Sequence, residues 1–399
     1  MERRRFLLTG ASALVAGASL RAEVPEWEKP LFDLRKVSSS PVRVKSIDVL
    51  QNGKNYFVRA LSADGATGIT IAKDPIEVLL PILKHKVAPA FIGKDARDLE
   101  SLIDDVYVKN YKLAGQALWL PVSCVEQALL DMLGRTAKKP VGQILGGQLR
   151  KEIPVYLSGS ARELTAEQEV DIYVRGVEAT GAKAVKFKIG GRMSRNADAY
   201  PGRTEKLLTL ARKRLGDNII LYADANGSYD AKKAIEMGRM LQDLKFQFFE
   251  EPCPWEEVSE TKKVADTLDI PIAFGEQNSS LWAFDWMMST GVMEIAQPDL
   301  NYNGGFIRAL RVARIARKHK GVITPHNTQT GAAGAKVLQF ASCCPNPGPY
   351  MEYPWREPEK PASWYSPNLF IRNGKIAVPD GPGLGIDYDP ACIAAAKPI

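Results

Sequence analysis

AVKFKI, residues 184–189, is the stretch on which the fold turns: an apolar run broken only by Lys186 and Lys188. Five later runs share its design and each ends in a polar side chain: NIILYAD (218–224), FQFFEE (246–251), IAFGE (272–276), EIAQPD (294–299) and VITPH (322–326). Short β-branched or aromatic runs of this kind favour buried parallel strands over helices. Between them lie stretches with helical spacing, such as 204–215 and 306–319. Strand and helix therefore alternate at the period of a TIM-type (β/α)8 barrel, in which the C-terminal strand ends form the active face. Lys186, Lys188, Asp224, Glu250, Glu276, Asp299 and His326 all fall at such ends. Residues 153–157 supply a first strand and 350–353, carrying Glu352, a last one.

Working outward, 42–50 and 55–61 are strand-like and precede an Asp64-Gly65 turn, while 75–86 and 122–133 read as amphipathic helices. This predicts an α+β capping domain over 41–150, ahead of a barrel over 151–365. Asn373-Gly374 marks a hairpin between 369–372 and 375–378, in a C-terminal segment (366–399) that returns to the cap. There is no internal repeat beyond the strand-helix alternation and no low-complexity segment.

The composition suits a large enzyme. A chain of 399 residues, 45% hydrophobic and 25% charged, buries a full core, and barrel plus cap account for the length. The net charge of +7 is spread over scattered basic residues, which argues against a nucleic-acid surface. Five cysteines, Cys124, Cys253, Cys343, Cys344 and Cys392, are an odd number without zinc-ligand spacing and read as buried fillers. At the start, Arg3-Arg4-Arg5-Phe6-Leu7-Leu8 leads into an apolar stretch with small-residue exits at Ala16-Gly17-Ala18 and Leu20-Arg21-Ala22. That is the layout of a twin-arginine export signal over residues 1–22, with Glu2 where Ser or Thr is usual. The expected mature chain begins at Ser19 or Glu23 and is periplasmic or extracytoplasmic. The apolar run is too short for a spanning helix, so no stable membrane insertion is expected.

The polar strand ends carry the chemistry. One acid at a strand end is ordinarily a helix cap or an ion-pair partner, but Asp224, Glu250 and Glu276 stand in consecutive units and converge on one hard divalent cation. Oxygen-only ligation favours Mg2+ or Mn2+. Lys186 and Lys188 point to one face because strand side chains alternate. Two adjacent ammonium groups depress each other's pKa, which suits one of them to be a neutral base. Asp299 and His326, on successive strand ends, form a pair in which the carboxylate fixes the imidazole tautomer and raises its basicity. A metallohydrolase barrel would need paired His ligands, which three scattered histidines do not furnish. A non-catalytic exported protein that binds a metal or sugar acid would have no use for both lysines and the Asp/His pair.

Several motifs resemble the enolase superfamily, and within it the mandelate racemase subgroup of the mandelate racemase/muconate lactonizing enzyme family. They are Val185-Lys186-Phe187-Lys188-Ile189-Gly190, Asp224-Ala225-Asn226, Glu250-Glu251-Pro252, Gly275-Glu276-Gln277, Gln297-Pro298-Asp299 with Gly304-Gly305, and His326. The resemblance extends over the whole predicted mature chain and is supported by 126–131 (EQALLD), 139–147 (KPVGQILGG) and 381–385 (GPGLG). It implies that Asp224, Glu250 and Glu276 hold Mg2+ under a substrate carboxylate, and that an enediolate forms when the α-proton leaves. Lys188 is then the base on one face, and His326, oriented by Asp299, the acid or base on the other; a Lys or His base working with Mg2+ is the superfamily's known pairing. Lys186 contacts the carboxylate and lowers the pKa of Lys188, Glu352 donates a hydrogen bond to the carboxylate, and Asn226 is a supporting or substrate contact. The implied reaction is dehydration of a sugar acid, with racemisation or epimerisation and lactone cycloisomerisation as alternatives. The implied partner is a small carboxylate, a sugar acid or α-hydroxy acid, and the implied assembly a homo-oligomer. The cap departs from the pattern: 51–55 and the stretch around 66–73 lack the acidic residue that often ends the equivalent strand. Tyr56, Lys73 and Trp119 are candidates for the cap side of the site. The insertion 192–202 (RMSRNADAYPG) reads equally as a lid and as an ordinary surface loop.

Overall fold

The computed structural model describes residues 24–159, 162–357 and 359–399, so the expected export signal at 1–22 lies outside the described residues. The cap is built on an antiparallel sheet of β1 (Val44–Asn52), β2 (Asn55–Ser62) and β3 (Thr67–Ile71), covered by helices α1 (Ile76–Ile82), α2 (Leu99–Asn110) and α3 (Gln116–Ala137). A short helix, α4 (Val141–Ile144), leads out of it. The barrel strands follow: β4 (Glu152–Ser158), β5 (Ala184–Lys188), β6 (Ile220–Asp224), β7 (Phe248–Glu250), β8 (Ile272–Phe274), β9 (Ile295–Ala296), β10 (Val322–Ile323) and β11 (Met351–Pro354). They pair in parallel in the order β10-β9-β8-β7-β6-β5-β4-β11. The ring closes where Ile323 bridges to Pro347 just ahead of β11. Helices α5 (Ala166–Thr180), α6 (Arg203–Leu215), α7 (Ala231–Asp243), α8 (Val258–Ala265), α9 (Leu281–Ser289), α10 (Phe306–Lys318) and α11 (Gly331–Cys343) connect the strands.

The strands are shorter than their apolar runs, for local reasons. β8 stops at Phe274 because Gly275, at φ 118°, turns the chain out of the ladder. β9 and β10 stop one residue before Gln297-Pro298 and two before Pro325, where proline has no N–H for a ladder bond. Glu276, Asp299 and His326 thus sit just beyond the paired residues, on the barrel rim.

The cap holds two elements that the periodicity did not indicate, β3 and α2. β3 packs on α3 so closely that a Cβ on Gly68 would lie 2.2 Å from the Ala128 carbonyl oxygen. α3 runs well beyond the expected 122–133 and passes through Pro121, its one missing N–H bond offset by near-continuous burial from Leu118 to Gly134. The hairpin expected at Asn373-Gly374 keeps only its turn: Arg372 and Lys375 exchange hydrogen bonds of 2.8 and 3.0 Å. The strand that follows, Lys375–Ala377, pairs antiparallel with β4 instead of with 369–372, extending the barrel sheet. Further on the chain does reach the cap, as Leu50 pairs with Pro398 and Gln51 with Lys397. All five cysteines are free. No helix among the described residues is long and apolar enough to cross a membrane.

Cap and barrel are joined by buried polar anchors. The Glu126 carboxylate of α3 accepts hydrogen bonds from the backbone N–H groups of Phe306 (2.7 Å) and Ile307 (2.8 Å) and so caps α10. This explains Gly305, at φ 109°, where a Cβ would fall 1.9 Å from the Glu126 carboxylate. Asp131 accepts from Ile69 N of β3 (2.9 Å) and from Leu384 N of the returning C-terminal segment (2.7 Å).

Candidate active site

Inside the barrel, side chains alternate in layers. Ala184 of β5 packs low in the barrel with Tyr156, Tyr222, Phe248 and Ala273, and the rings of Tyr222 and Phe248 stack 3.9 Å apart. Two residues on, Lys186 rises above this plug, its ammonium 5.4 Å from the Tyr156 ring, and two further on Lys188 reaches the rim. In the sheet register Lys188 stands beside Asp224 and Asp224 beside Glu250, so three charged groups share one level. Neighbouring strand ends thus deliver the predicted lysines and acids to one place.

One oxygen from each of Asp224, Glu250 and Glu276 lies within 4.8 Å of the others, and all three residues are buried. Glu250 Oε2 accepts from Lys186 (2.7 Å) and from Gln297 Nε2 (3.0 Å), while Glu250 Oε1 and Glu276 Oε2 are buried with no hydrogen-bond donor. Three buried acids within reach of one another, two of them keeping a carboxylate oxygen without a hydrogen-bond donor among the described residues, fit a divalent cation, whose hard oxygen ligation they match. Burial, with Asp224 and Glu352 nearby, pushes the Glu250 carboxyl up to about 8 despite Lys186.

The spacing of the two lysines predicted depressed ammonium groups, and Lys186 is not one. Lys186, fully buried, bonds Glu250 and Glu352 (2.8 Å), while Lys188 pairs with Asp224. Burial alone would push the Lys186 ammonium down, but Glu250, Glu352 and Asp224 outweigh it and hold it well above its ordinary value. Lys186 is thus a fixed cation. Burial raises the Glu352 carboxyl, but Lys186 holds it below the usual range, and its Oε2 accepts from Asn327 N at 3.0 Å.

His326 Nδ1 lies 2.8 Å from Asp299 Oδ2, as the strand-end pairing predicts, and its Nε2 lies 3.4 Å from Glu276 Oε2. Lys188 therefore flanks the acidic triad at its Asp224 end and His326 at its Glu276 end. Burial pushes Asp299 up, but Lys73 and His326 hold it far below the carboxylate range. Asn226 donates through Nδ2 to Asp224 Oδ2 at 3.2 Å and takes a 3.4 Å contact from Arg192.

Lys188, Asn226, Glu276, His326 and Glu352 line one cavity of about 900 Å³. Its outer wall carries Tyr173, Trp255, Tyr302 and Trp355. Of the insertion 192–202, Arg192 and Met193 enter the wall; the rest folds as a turn, with Asp198 capping Thr204 N of α6 at 2.7 Å. Among the described residues, none of the cap lines this cavity. Tyr56 and Trp119 are buried away from it, Trp119 beneath the Arg308 guanidinium at 3.6 Å. Sequence reading gave Glu251 no role and offered Lys73 only as a candidate for the cap side of the site. Glu251, adjoining the triad, keeps a buried Oε1 without a donor and was hidden inside the Glu250-Glu251 pair. Lys73 reaches Asp299 from 226 positions away, a separation no local pattern reports.

Comparison with known proteins agrees with this geometry. The profile described as "Enolase C-terminal domain-like" matches residues 169–392, and that of the mandelate racemase/muconate lactonizing enzyme N-terminal domain matches 34–146. The chain belongs to the mandelate racemase/muconate lactonizing enzyme family of the enolase superfamily. Among curated members, arabinonate dehydratase of Saccharolobus solfataricus is 28% identical over 81% of this chain and 85% of its own. D-galactarolactone cycloisomerase of Agrobacterium fabrum is 30% identical over 75% of this chain and 79% of its own. A solved structure of a family protein from Paracoccus denitrificans, complexed with magnesium, superposes with a TM-score of 0.82 at 28% identity, covering 90% of this chain and 99% of that one. Like these relatives, the chain is an enzyme of lyase or isomerase type.

Proposed function

We propose that this enzyme abstracts the α-proton of a sugar-acid carboxylate and eliminates the β-hydroxyl as water, giving a 2-keto-3-deoxy acid. The observation that carries the reading is the placement of Lys188 and His326 at opposite ends of the Asp224/Glu250/Glu276 triad, both opening into one cavity. Mg2+, or Mn2+ in its place, held by the triad would supply the positive charge that binds the carboxylate and offsets the negative charge developing on it. Lys186, a fixed cation, adds to that charge from below the triad. Lys188 Nζ takes the α-proton from one face as the C–H bond breaks. From the other face His326 Nε2, its ring held through Nδ1 by Asp299, gives a proton to the β-hydroxyl as the C–O bond breaks, and the enol product tautomerises. Glu352 and Asn226 contact the substrate from the cavity wall.

Relatives at comparable identity, dehydratases of arabinonate and galactonate, support dehydration. Lactone cycloisomerisation shares the same first half-reaction and is the second reading, supported by the 30% identical galactarolactone enzyme. The test is incubation with Mg2+ in D2O and a panel of sugar acids, followed by proton NMR. Loss of the α-proton signal with a new 2-keto-3-deoxy product is expected; exchange without that product supports an isomerase, and no exchange across the panel refutes proton abstraction. Export by the twin-arginine route and assembly of several copies also belong to this proposal. The first is checked by the location of the protein when Arg3 and Arg4 are replaced by Lys, the second by light scattering.

A further inference from the structure

Lys73 is an ammonium buried for a purpose that the dehydration scheme does not yet use. It follows β3 of the cap, is 7% exposed, and places Nζ 2.5 Å from Asp299 Oδ2 and 4.1 Å from the centre of the Tyr302 ring. It does not line the cavity, so it does not reach substrate directly. Asp299 Oδ1 is already filled by Asn301 N (2.7 Å), Asn301 Nδ2 (3.1 Å) and Tyr302 N (3.2 Å), all from the barrel. Oδ2, the oxygen that meets His326 Nδ1, has one further donor, Lys73.

The contact is also braced from behind. Lys336 of α11 donates to Ile71 O at the end of β3 (2.9 Å) and to Asn301 Oδ1 (3.3 Å). The result is a closed ring of contacts: the end of β3, Lys73, Asp299, Asn301, Lys336 and back to Ile71. A buried ion pair used only for stability can often be replaced without loss by well-packed apolar groups of similar volume. Here the ammonium instead fixes the one carboxylate oxygen on which the orientation of the imidazole depends, and it comes from the domain that otherwise leaves the cavity alone.

We propose that Lys73 is a positioning residue, the third member of a Lys73–Asp299–His326 chain through which docking of the cap sets the orientation of the catalytic imidazole. This rests on His326 being the acid of the elimination, as argued above. The Lys188 side of the triad has no contact with Lys73, so the two half-reactions should respond differently to its loss.

The experiment uses the full-length, Mg2+-loaded enzyme and Lys73→Met, which keeps the length of the side chain and removes its charge. Two readouts are compared: exchange of the substrate α-proton in D2O, which needs Lys188, and formation of the 2-keto-3-deoxy product, which needs His326. The expected result is a fall of roughly 10²-fold in kcat for product, the size of loss that follows a small misplacement of a catalytic group, with KM little changed and exchange largely retained. Independently of any substrate, the downfield proton NMR signal of His326 Nδ1–H should shift or broaden in the variant. Only three histidines contribute to this spectrum, and His326→Asn identifies the signal by removing it. Wild-type kcat with an unmoved His326 signal overturns the proposal. So does an equal loss of exchange and product with a lower melting temperature and an unmoved signal, because Lys73 is then merely an anchor of the cap. If no substrate in the panel reacts, the dehydration reading fails while the NMR signal still decides the positioning role. Should Lys73→Met not fold, Lys73→Gln, which keeps one donor, is put through the same measurements.

Discussion

Replacing Glu276 with Gln should change the sign of its effect on stability according to whether Mg2+ is present. In the metal-free enzyme Glu276 sits with Asp224 and Glu250, one oxygen from each within 4.8 Å, and its Oε2 has no donor. Two unit charges at that separation repel by about 3.5 kcal/mol at an effective dielectric of 20. At pH 9, where Glu250 has also lost its proton, two such pairs involve Glu276. Lys186 and Lys188, bonded to the other two acids, cancel much of this, leaving a net stabilisation on the order of 2 kcal/mol for Glu276→Gln without metal. With Mg2+ at a hundred times its Kd, the wild type gains about 2.7 kcal/mol by linkage, and the variant, short of one ligand, gains far less. Guanidinium unfolding midpoints in EDTA and in excess Mg2+ should therefore rank the two proteins in opposite orders. A variant that is destabilised to the same extent in both conditions would refute the reasoning and make Glu276 a purely structural carboxylate.

Affinity for Mg2+ should follow the Glu250 carboxyl, raised from 4.5 to about 8. Below about 8 the cation must displace its proton, so calorimetric affinity should weaken by about tenfold per pH unit and level off above. The sign for stability follows from the same shift. Between 4.5 and about 8 the folded metal-free enzyme keeps a proton that the unfolded chain has lost, so its stability should fall as pH rises through that window. Lys188→Ala should abolish α-proton exchange while Mg2+ binding by calorimetry persists; turnover at the wild-type rate would rule out Lys188 as the base. Glu126→Ala leaves the N–H groups of Phe306 and Ile307 buried without an acceptor, a loss of about 2 to 6 kcal/mol at 1 to 3 per group, measurable as a shift in the denaturation midpoint.

The six runs from 184 to 326 made the barrel and its acids legible because a buried parallel strand must be apolar throughout. A charged residue inside or just after one is conspicuous, and the repeat unit fixes which end it occupies. The strand ends themselves were less legible, since Gly275, Pro298 and Pro325 stop the ladder before the apolar run stops. β3 was missed because TGITI has a glycine where a strand would normally present a side chain, and the fit of Gly68 against α3 is a tertiary fact.

The sequence by itself determined the fold class through its repeated strand-helix unit and the family through the resemblance of its motifs, and it marked Asp224, Glu250, Glu276, Lys186, Lys188, Asp299 and His326 as candidates because each is a local choice at a strand end. Tertiary structure alone decided the charge state of Lys186 and the use of Lys73. Lys186 reads as half of a mutually depressed pair until Glu250 and Glu352, 64 and 166 positions along the chain, are seen bonded to it. Lys73 becomes part of the site only because the docked cap buries its ammonium against Asp299. Electrostatic energies depend on distance in space and on burial, and neither is written in the spacing along a chain.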